Sequence, residues 1–251
     1  MSALHHEVAG EGPPLLMCGS LGTTLKMWDP QLGPLSERLR VVRLDPRGHG
    51  ASPVPPGPYE IGDLGGDVLG LMDALGLERA SFCGLSIGGM VGIWLAAHAP
   101  ERIERLVLVC TAAHLPPASA WAERAAAVRA AGTVEVVAGA VVARWLTPGF
   151  AAAHPEVVAD LRAMLAASPA EGYAACCEAI ARMDLRDDLA RIAAPALVVG
   201  GAQDPATPPD HQRFLAGHIP GARLEVLSPA AHLASVERPG EVSSLILEHM
   251  T

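Results

Sequence analysis

No apolar run in this sequence reaches the roughly 18 residues that a membrane-spanning helix needs. The opening stretch, MSALHHEVAGEG, has neither the basic nor the apolar segment of a secretory leader. Positive charge is scarce: 18 Lys and Arg stand against 27 Asp and Glu, for a formal charge of −9. Nucleic acid and anionic membranes are bound through clustered Lys and Arg, so neither is an expected partner. Cysteine is sparse and unpatterned. Cys18, Cys83, Cys110, Cys176 and Cys177 are odd in number, form no CxxC pair and join no histidine at zinc spacing. No metal and no cofactor is expected. Several of these cysteines lie inside apolar runs (SFCGL, VLVC), which suits buried free thiols in a reducing compartment and a cytoplasmic location.

What is present is ordinary globular composition, 50% hydrophobic and 18% charged over 251 residues, enough for one α/β domain with a small insertion. Short apolar runs read as strands: LLMC (15–18), RVVRLD (40–45), ASFCG (80–84), RLVLVC (105–110), ALVVG (196–200) and RLEVL (223–227). Helical spacing fills the gaps. DLGGDVLGLMDALGL (63–77) repeats apolar residues close to every 3.6 positions, and IGGMVGIWLAAHAP (87–100) is apolar nearly all round, as in a helix buried beneath a site. Alternating strands and helices predict a mostly parallel sheet covered on both faces. The Ala-rich stretch 116–189 breaks the alternation and contains no convincing strand. It reads as a helical cap inserted in a core made of 1–115 and 190–251, placed over the strand C-termini where α/β proteins put ligands.

Gly84-Leu85-Ser86-Ile87-Gly88 fits G-x-S-x-G between a strand and a helix, the context of a nucleophile elbow. The bare pentapeptide is only moderately specific; a Gly-rich turn with an ordinary serine is the plain alternative, and the flanking strand and helix argue against it. A serine hydroxyl needs a base and an orienting acid, in chain order Ser, acid, His for this architecture. Asp204 follows a strand in GGAQDPATPP, and His232 follows the last strand in LSPAAHL. Asp210 competes with Asp204, although it sits at an apparent helix start. His49 and His114 compete with His232, since both also follow strands; chain order favours His232. A tetrahedral intermediate needs two backbone N–H donors. Ile87, after the nucleophile, is one; Leu21, in the Gly19–Gly22 loop after the first apolar run, is the other.

At these residues the chain resembles the 3-oxoadipate enol-lactonases of the α/β-hydrolase superfamily. The matching segments are GSLGTTLKMWDPQ (19–31), LDPRGHGASPVPPGPY (44–59), FCGLSIGGMVGIWLAAHAPERIERLVLVCTAA (82–113), ARWLTPGFA (143–151), EGYAACCEAIARMDLRDDL (171–189) and GAQDPATPP (201–209). DxRGHGxS and GxSxGG are spread widely across the superfamily, whereas SLGT with MWDPQ, ARWxTP and GYAACCEAI are more particular to the lactonase group. Thr24, Gly19 and Pro229 depart from the usual residues in loops around the site. The resemblance implies the α/β-hydrolase fold and opening of an anionic lactone by Ser86, His232 and Asp204. It also implies a carboxylate on the substrate, which an acidic protein must hold with local donors. Arg144 and Trp145 in the cap are the candidates, with Trp28 and Met27 possible pocket walls or plain packing. A general carboxylesterase or a C–C bond hydrolase would use the same triad, and a slow, receptor-like ligand binder could share the fold. Dehalogenase and epoxide hydrolase chemistry is disfavoured, because those sites carry an aspartate where this chain has Ser86.

Overall fold

The computed structural model describes residues 4–250; the outermost ends of the expected core span, 1–3 and 251, lie outside the described residues. The strands are β1 (His6–Ala9), β2 (Pro14–Cys18), β3 (Arg40–Leu44), β4 (Ala80–Leu85), β5 (Ile103–Val109), β6 (Ala196–Gly201) and β7 (Arg223–Leu227). The helices are α1 (Asp29–Ser36), α2 (Ile61–Ala74), α3 (Ile87–His98), α4 (Ala118–Ala131), α5 (Glu135–Val142), α6 (Pro148–Ala153), α7 (Pro155–Ala166), α8 (Ala170–Arg182), α9 (Pro209–His218), α10 (Ala234–Glu237) and α11 (Pro239–Met250).

The strands form one sheet in the order β1-β3-β2-β4-β5-β6-β7, in which only β1 runs antiparallel to its neighbour. β4 and β6 are buried at every position, as strands covered on both faces must be. That is why they read as unbroken apolar runs in the sequence. β1 did not read as a strand. HEVA runs polar-polar-apolar-apolar over only four positions, without strand alternation, and leaves its middle exposed, an edge strand with little to bury. α3 is enclosed at ten of its twelve positions and packs on β4 and β5. Leu106 and Leu108 are fully buried on this face, and Leu197 on the opposite one; truncation to alanine there costs about 2–5 kcal/mol.

Between β5 and β6 the chain runs through the five helices α4 to α8 with no strand, apart from an isolated bridge between His114 and Asp184 at its base. Further ties join this helical segment to the core, among them Leu233 N–H donating to the Trp145 carbonyl at 2.8 Å and Ser168 Oγ donating to the Gly22 carbonyl at 3.4 Å. The helices therefore sit over the loops after β2 and β7. Among the described residues no helix is long and apolar enough to cross a membrane.

Candidate active site

Ser86 sits at the junction of β4 and α3 with φ 58° and ψ −119°, a left-handed backbone that costs a non-glycine residue about 1–3 kcal/mol. Hydrogen bonds on both sides hold it there. Its N–H donates to the Val109 carbonyl at 3.0 Å, and its carbonyl accepts from Thr111 Oγ1 at 2.6 Å. α3 begins so close to the loop after β2 that a Cβ on Gly88 would overlap the Cys18 carbonyl; the last glycine of the pentapeptide is there for close approach. Ser86 is 8% exposed, and it opens on a small cavity of about 50 Å³ between sheet and helical segment.

His232 lines the same cavity from the loop after β7. Its Nδ1 lies 2.8 Å from Oδ2 of Asp204, which follows β6. Asp204 is almost fully enclosed, and all its acceptor capacity is used: Oδ1 receives the N–H groups of Ala206 (2.7 Å) and Thr207 (3.0 Å), and Oδ2 also receives the Thr207 hydroxyl (2.7 Å). Burial alone would push this carboxyl up. The facing His232 and the Thr207 donors outweigh it, so the carboxyl lies below its usual range and stays ionised. An ionised acid at Nδ1 keeps the proton there and leaves Nε2 as the acceptor. Thr207 was not singled out in the sequence, although DPAT carries the turn signature of a carboxylate capped by the amide three residues on.

The histidine loop is braced by Glu237, which is buried in α10. Its Oε2 accepts from Ala231 N–H at 2.5 Å, while Oε1 accepts from the Thr147 N–H (2.9 Å) and hydroxyl (2.6 Å). One carboxylate thus ties the residue before His232 to the segment carrying Arg144 and Trp145. Glu237→Gln puts an NH2 where an acceptor is needed, and is expected to cost about 1.5–3 kcal/mol. Denaturant unfolding checks the stability loss and kcat a several-fold fall; an unchanged midpoint would remove the bracing role.

Leu21 lines the cavity from the loop after β2. Ile87 opens α3, where an N–H has no intrahelical acceptor. The loop is held from below by residues of the DPRGHG motif. Gly22 N–H donates to His49 Nε2 at 2.9 Å, and Leu25 N–H donates to Asp45 Oδ1 at 2.6 Å. Burial lowers the His49 pKa, with the Arg47 carbonyl and Asp45 opposing the shift. The ring is neutral: Nδ1–H faces the Arg47 carbonyl at 3.2 Å and Nε2 is free to accept. His49 competed with His232 on sequence grounds, and it is a support of the loop after β2. The other competitors also lie elsewhere: His114 Nδ1 is 3.0 Å from the Met183 carbonyl, and Asp210 is an exposed partner of Arg213.

Arg144 and Trp145 line the cavity, joined by Arg124 and Tyr173. Arg124 stands over the Trp121 ring, 4.6 Å from its centroid, a cation–π contact. Burial, and then the neighbouring Arg124, lower the Arg144 pKa against the smaller opposing pull of Tyr173 and Asp204, as expected of two guanidiniums on a cavity lining that holds no Asp or Glu. Trp28 is a correction. It is fully buried in the hydrophobic core and lies off the lining, because the short 3-10 helix Leu25–Trp28 turns its last residue inward. Met27 is likewise off this lining, and its sulfur receives the Ser20 N–H at 3.2 Å. Among the described residues no group of three His, Cys, Asp or Glu is placed to hold a metal. All five cysteines are buried free thiols, with burial pushing Cys18 and Cys177 up to about 12.

Known proteins place this arrangement. A family model for the alpha/beta hydrolase fold matches residues 13–239. The chain is 46% identical over 239 residues to 3-oxoadipate enol-lactonase 2 of Acinetobacter baylyi, covering 94% of this chain and 89% of that protein. It is 37% identical over 227 residues to 3-oxoadipate enol-lactonase 1 of the same organism, covering 90% and 84%. The crystal structure of the enol-lactonase from Burkholderia xenovorans LB400 superposes with a TM-score of 0.96 at 43% identity, over 98% of this chain and 96% of that one. The likeness to enol-lactonases read from the loop and helix motifs stands on these matches, and the family model spans most of the chain: the chain belongs to the α/β-hydrolase fold family.

Proposed function

We propose that the protein opens 3-oxoadipate enol-lactone to 3-oxoadipate through an acyl-enzyme on Ser86. The observation that carries the reading is the meeting, in one cavity whose lining holds no Asp or Glu, of Ser86 and His232 with the two guanidiniums of Arg124 and Arg144. A general esterase needs no such charge. A lactone bearing a carboxylate does, the more so in a chain of charge −9. The kinship with enol-lactonases supports the same substrate.

Ser86 Oγ attacks the lactone carbonyl while His232 Nε2 takes its proton, and Asp204 stabilises the imidazolium that forms. The N–H groups of Leu21 and Ile87 receive the oxyanion. The ring oxygen leaves as an enol still tethered through the acyl group, a better leaving group than a simple alcohol. Water then attacks the acyl-enzyme with His232 again as base. The acid arm pairs with Arg144 and Arg124, with Trp145 as a wall. The same reading puts the enzyme in the cytoplasm, where buried thiols stay reduced.

Purified protein with 3-oxoadipate enol-lactone, followed by loss of the lactone's ultraviolet absorbance, tests this. Turnover at least about 100-fold more efficient than for the neutral lactone bearing a methyl in place of the acid arm supports it; equal efficiency makes the protein an esterase without acid recognition. Arg144→Gln is expected to raise KM for the acid lactone by about 10- to 100-fold, the loss of a charge-assisted bond, and to leave the neutral lactone unaffected. Equal loss on both lactones would assign Arg144 to packing.

A further inference from the structure

Tyr173, in the first turn of α8, is fully buried, and its hydroxyl proton has no acceptor in the protein; the side chain within reach of its oxygen is the Arg124 guanidinium, itself a donor. Buried hydroxyls are nearly always paired, so an orphaned one calls for a reason. Trp28, Gln31, Arg43, Gln212 and Ser235 also bury unpartnered polar atoms, but none of them lines the cavity that holds Ser86; Tyr173 does.

Two contacts locate it further. Its ring lies against the loop after β2: a Cβ on Gly22 would stand 3.1 Å from Tyr173 Cε2. Arg124 and Arg144 share the same cavity wall, and both act electrostatically on the phenol. Tyr173 is therefore between the loop that receives the oxyanion and the guanidiniums that hold the acid arm.

The substrate's own connectivity then fixes what faces it. In the enol-lactone the carbon that carries the acid arm also carries the ring oxygen. A group beside the guanidiniums, on the side toward the oxyanion loop, faces that oxygen. We propose that the Tyr173 hydroxyl is a catalytic hydrogen-bond donor to the departing ring oxygen of the lactone, an assignment that rests on the lactonase reading. Ser86 Oγ bonds to the carbonyl carbon, and the ring C–O bond breaks with its electron pair on the former ring oxygen. That oxygen takes the proton that His232 removed from Ser86. Tyr173 lends a hydrogen bond throughout and keeps its own proton. Burial, the main influence on this phenol, raises its pKa and favours the protonated donor form. The orphaned hydroxyl of the resting enzyme is thus a donor waiting for charge that appears only as the ring opens.

The test compares wild type with Tyr173→Phe on three substrates: the acid enol-lactone, its neutral methyl counterpart, and p-nitrophenyl acetate. kcat/KM is the readout, since it reports acylation. Tyr173→Phe is expected to lower kcat/KM about 30-fold on both enol-lactones, within the range for removing a donor aimed at developing charge. p-Nitrophenyl acetate, whose leaving group needs no donor, is expected to change by less than about 2-fold. The unfolding midpoint moves little, because the hydroxyl proton has no acceptor to lose in the resting protein and Arg124 keeps its place over the Trp121 ring. Equal losses on all three substrates, or no loss on the enol-lactones, overturn the proposal. Should wild type ignore the acid lactone, the lactonase reading falls by itself, and the neutral enol-lactone against p-nitrophenyl acetate still decides the role of Tyr173.

Discussion

Replacing Ser86 by alanine is expected to lower kcat on enol-lactone and on p-nitrophenyl acetate by roughly 10⁶-fold with the fold intact. Alanine keeps the Cβ, so the strained backbone at φ 58° and its bonds to Val109 and Thr111 are unchanged. What disappears is the oxygen that bonds to the acyl carbon. The proposed oxyanion donors and the guanidiniums remain, so binding is expected to persist and catalysis over the uncatalysed reaction to fall to about 10³–10⁴-fold, the contribution of donors and binding without a nucleophile. Turnover with pre-purified substrate, beside the unfolding midpoint, reads both halves. Loss of less than about tenfold would mean that another nucleophile or an activated water does the chemistry.

The second large effect is at Asp204. Asp204→Asn is expected to cost about 10⁴-fold in kcat with little change in KM. The N–H groups of Ala206 and Thr207 still find the asparagine oxygen, so the loop holds, while the Thr207 hydroxyl loses its acceptor and turns to accept from the new NH2. The side that meets His232 Nδ1 becomes an amide NH2, however, and the imidazole then carries its proton on Nε2, where it cannot accept from Ser86. The same carboxyl links to stability. Its folded pKa is depressed, so its contribution is present above the ordinary value of 3.8 and is lost as pH falls through the lower folded value. The wild type therefore loses this increment in strong acid and the asparagine variant does not, which acid unfolding curves of the two proteins compare directly.

The residues differ in how much of their role could be read from the sequence, for physical reasons. β4, the elbow and α3 are contiguous, so the pentapeptide and its flanks carry the geometry in one stretch. Asp204 and His232 are far apart in sequence, but each follows a strand of a parallel sheet, and parallel strands end on one side. Arg124 and Tyr173 had no such signal. They reach the cavity because α4 and α8 pack together over the sheet, and helical spacing in an Ala-rich run does not say which face looks down. Trp28 erred in the other direction: a tryptophan next to the oxyanion loop reads as a wall, but the turn of the short helix carries it into the core. Glu237 carries no signal in the sequence; only the fold brings Thr147 and Ala231 to its two oxygens.

Rapid-quench mass spectrometry during turnover of 3-oxoadipate enol-lactone tests the central claim most directly. Because the enol stays tethered when the ring opens, the acyl-enzyme carries the mass of the whole substrate. The expected result is that adduct in the first milliseconds, mapping to the peptide with Gly84-Leu85-Ser86-Ile87-Gly88 and absent from Ser86→Ala. Turnover with the adduct on another residue, or the same adduct in the alanine variant, would contradict Ser86 as the nucleophile.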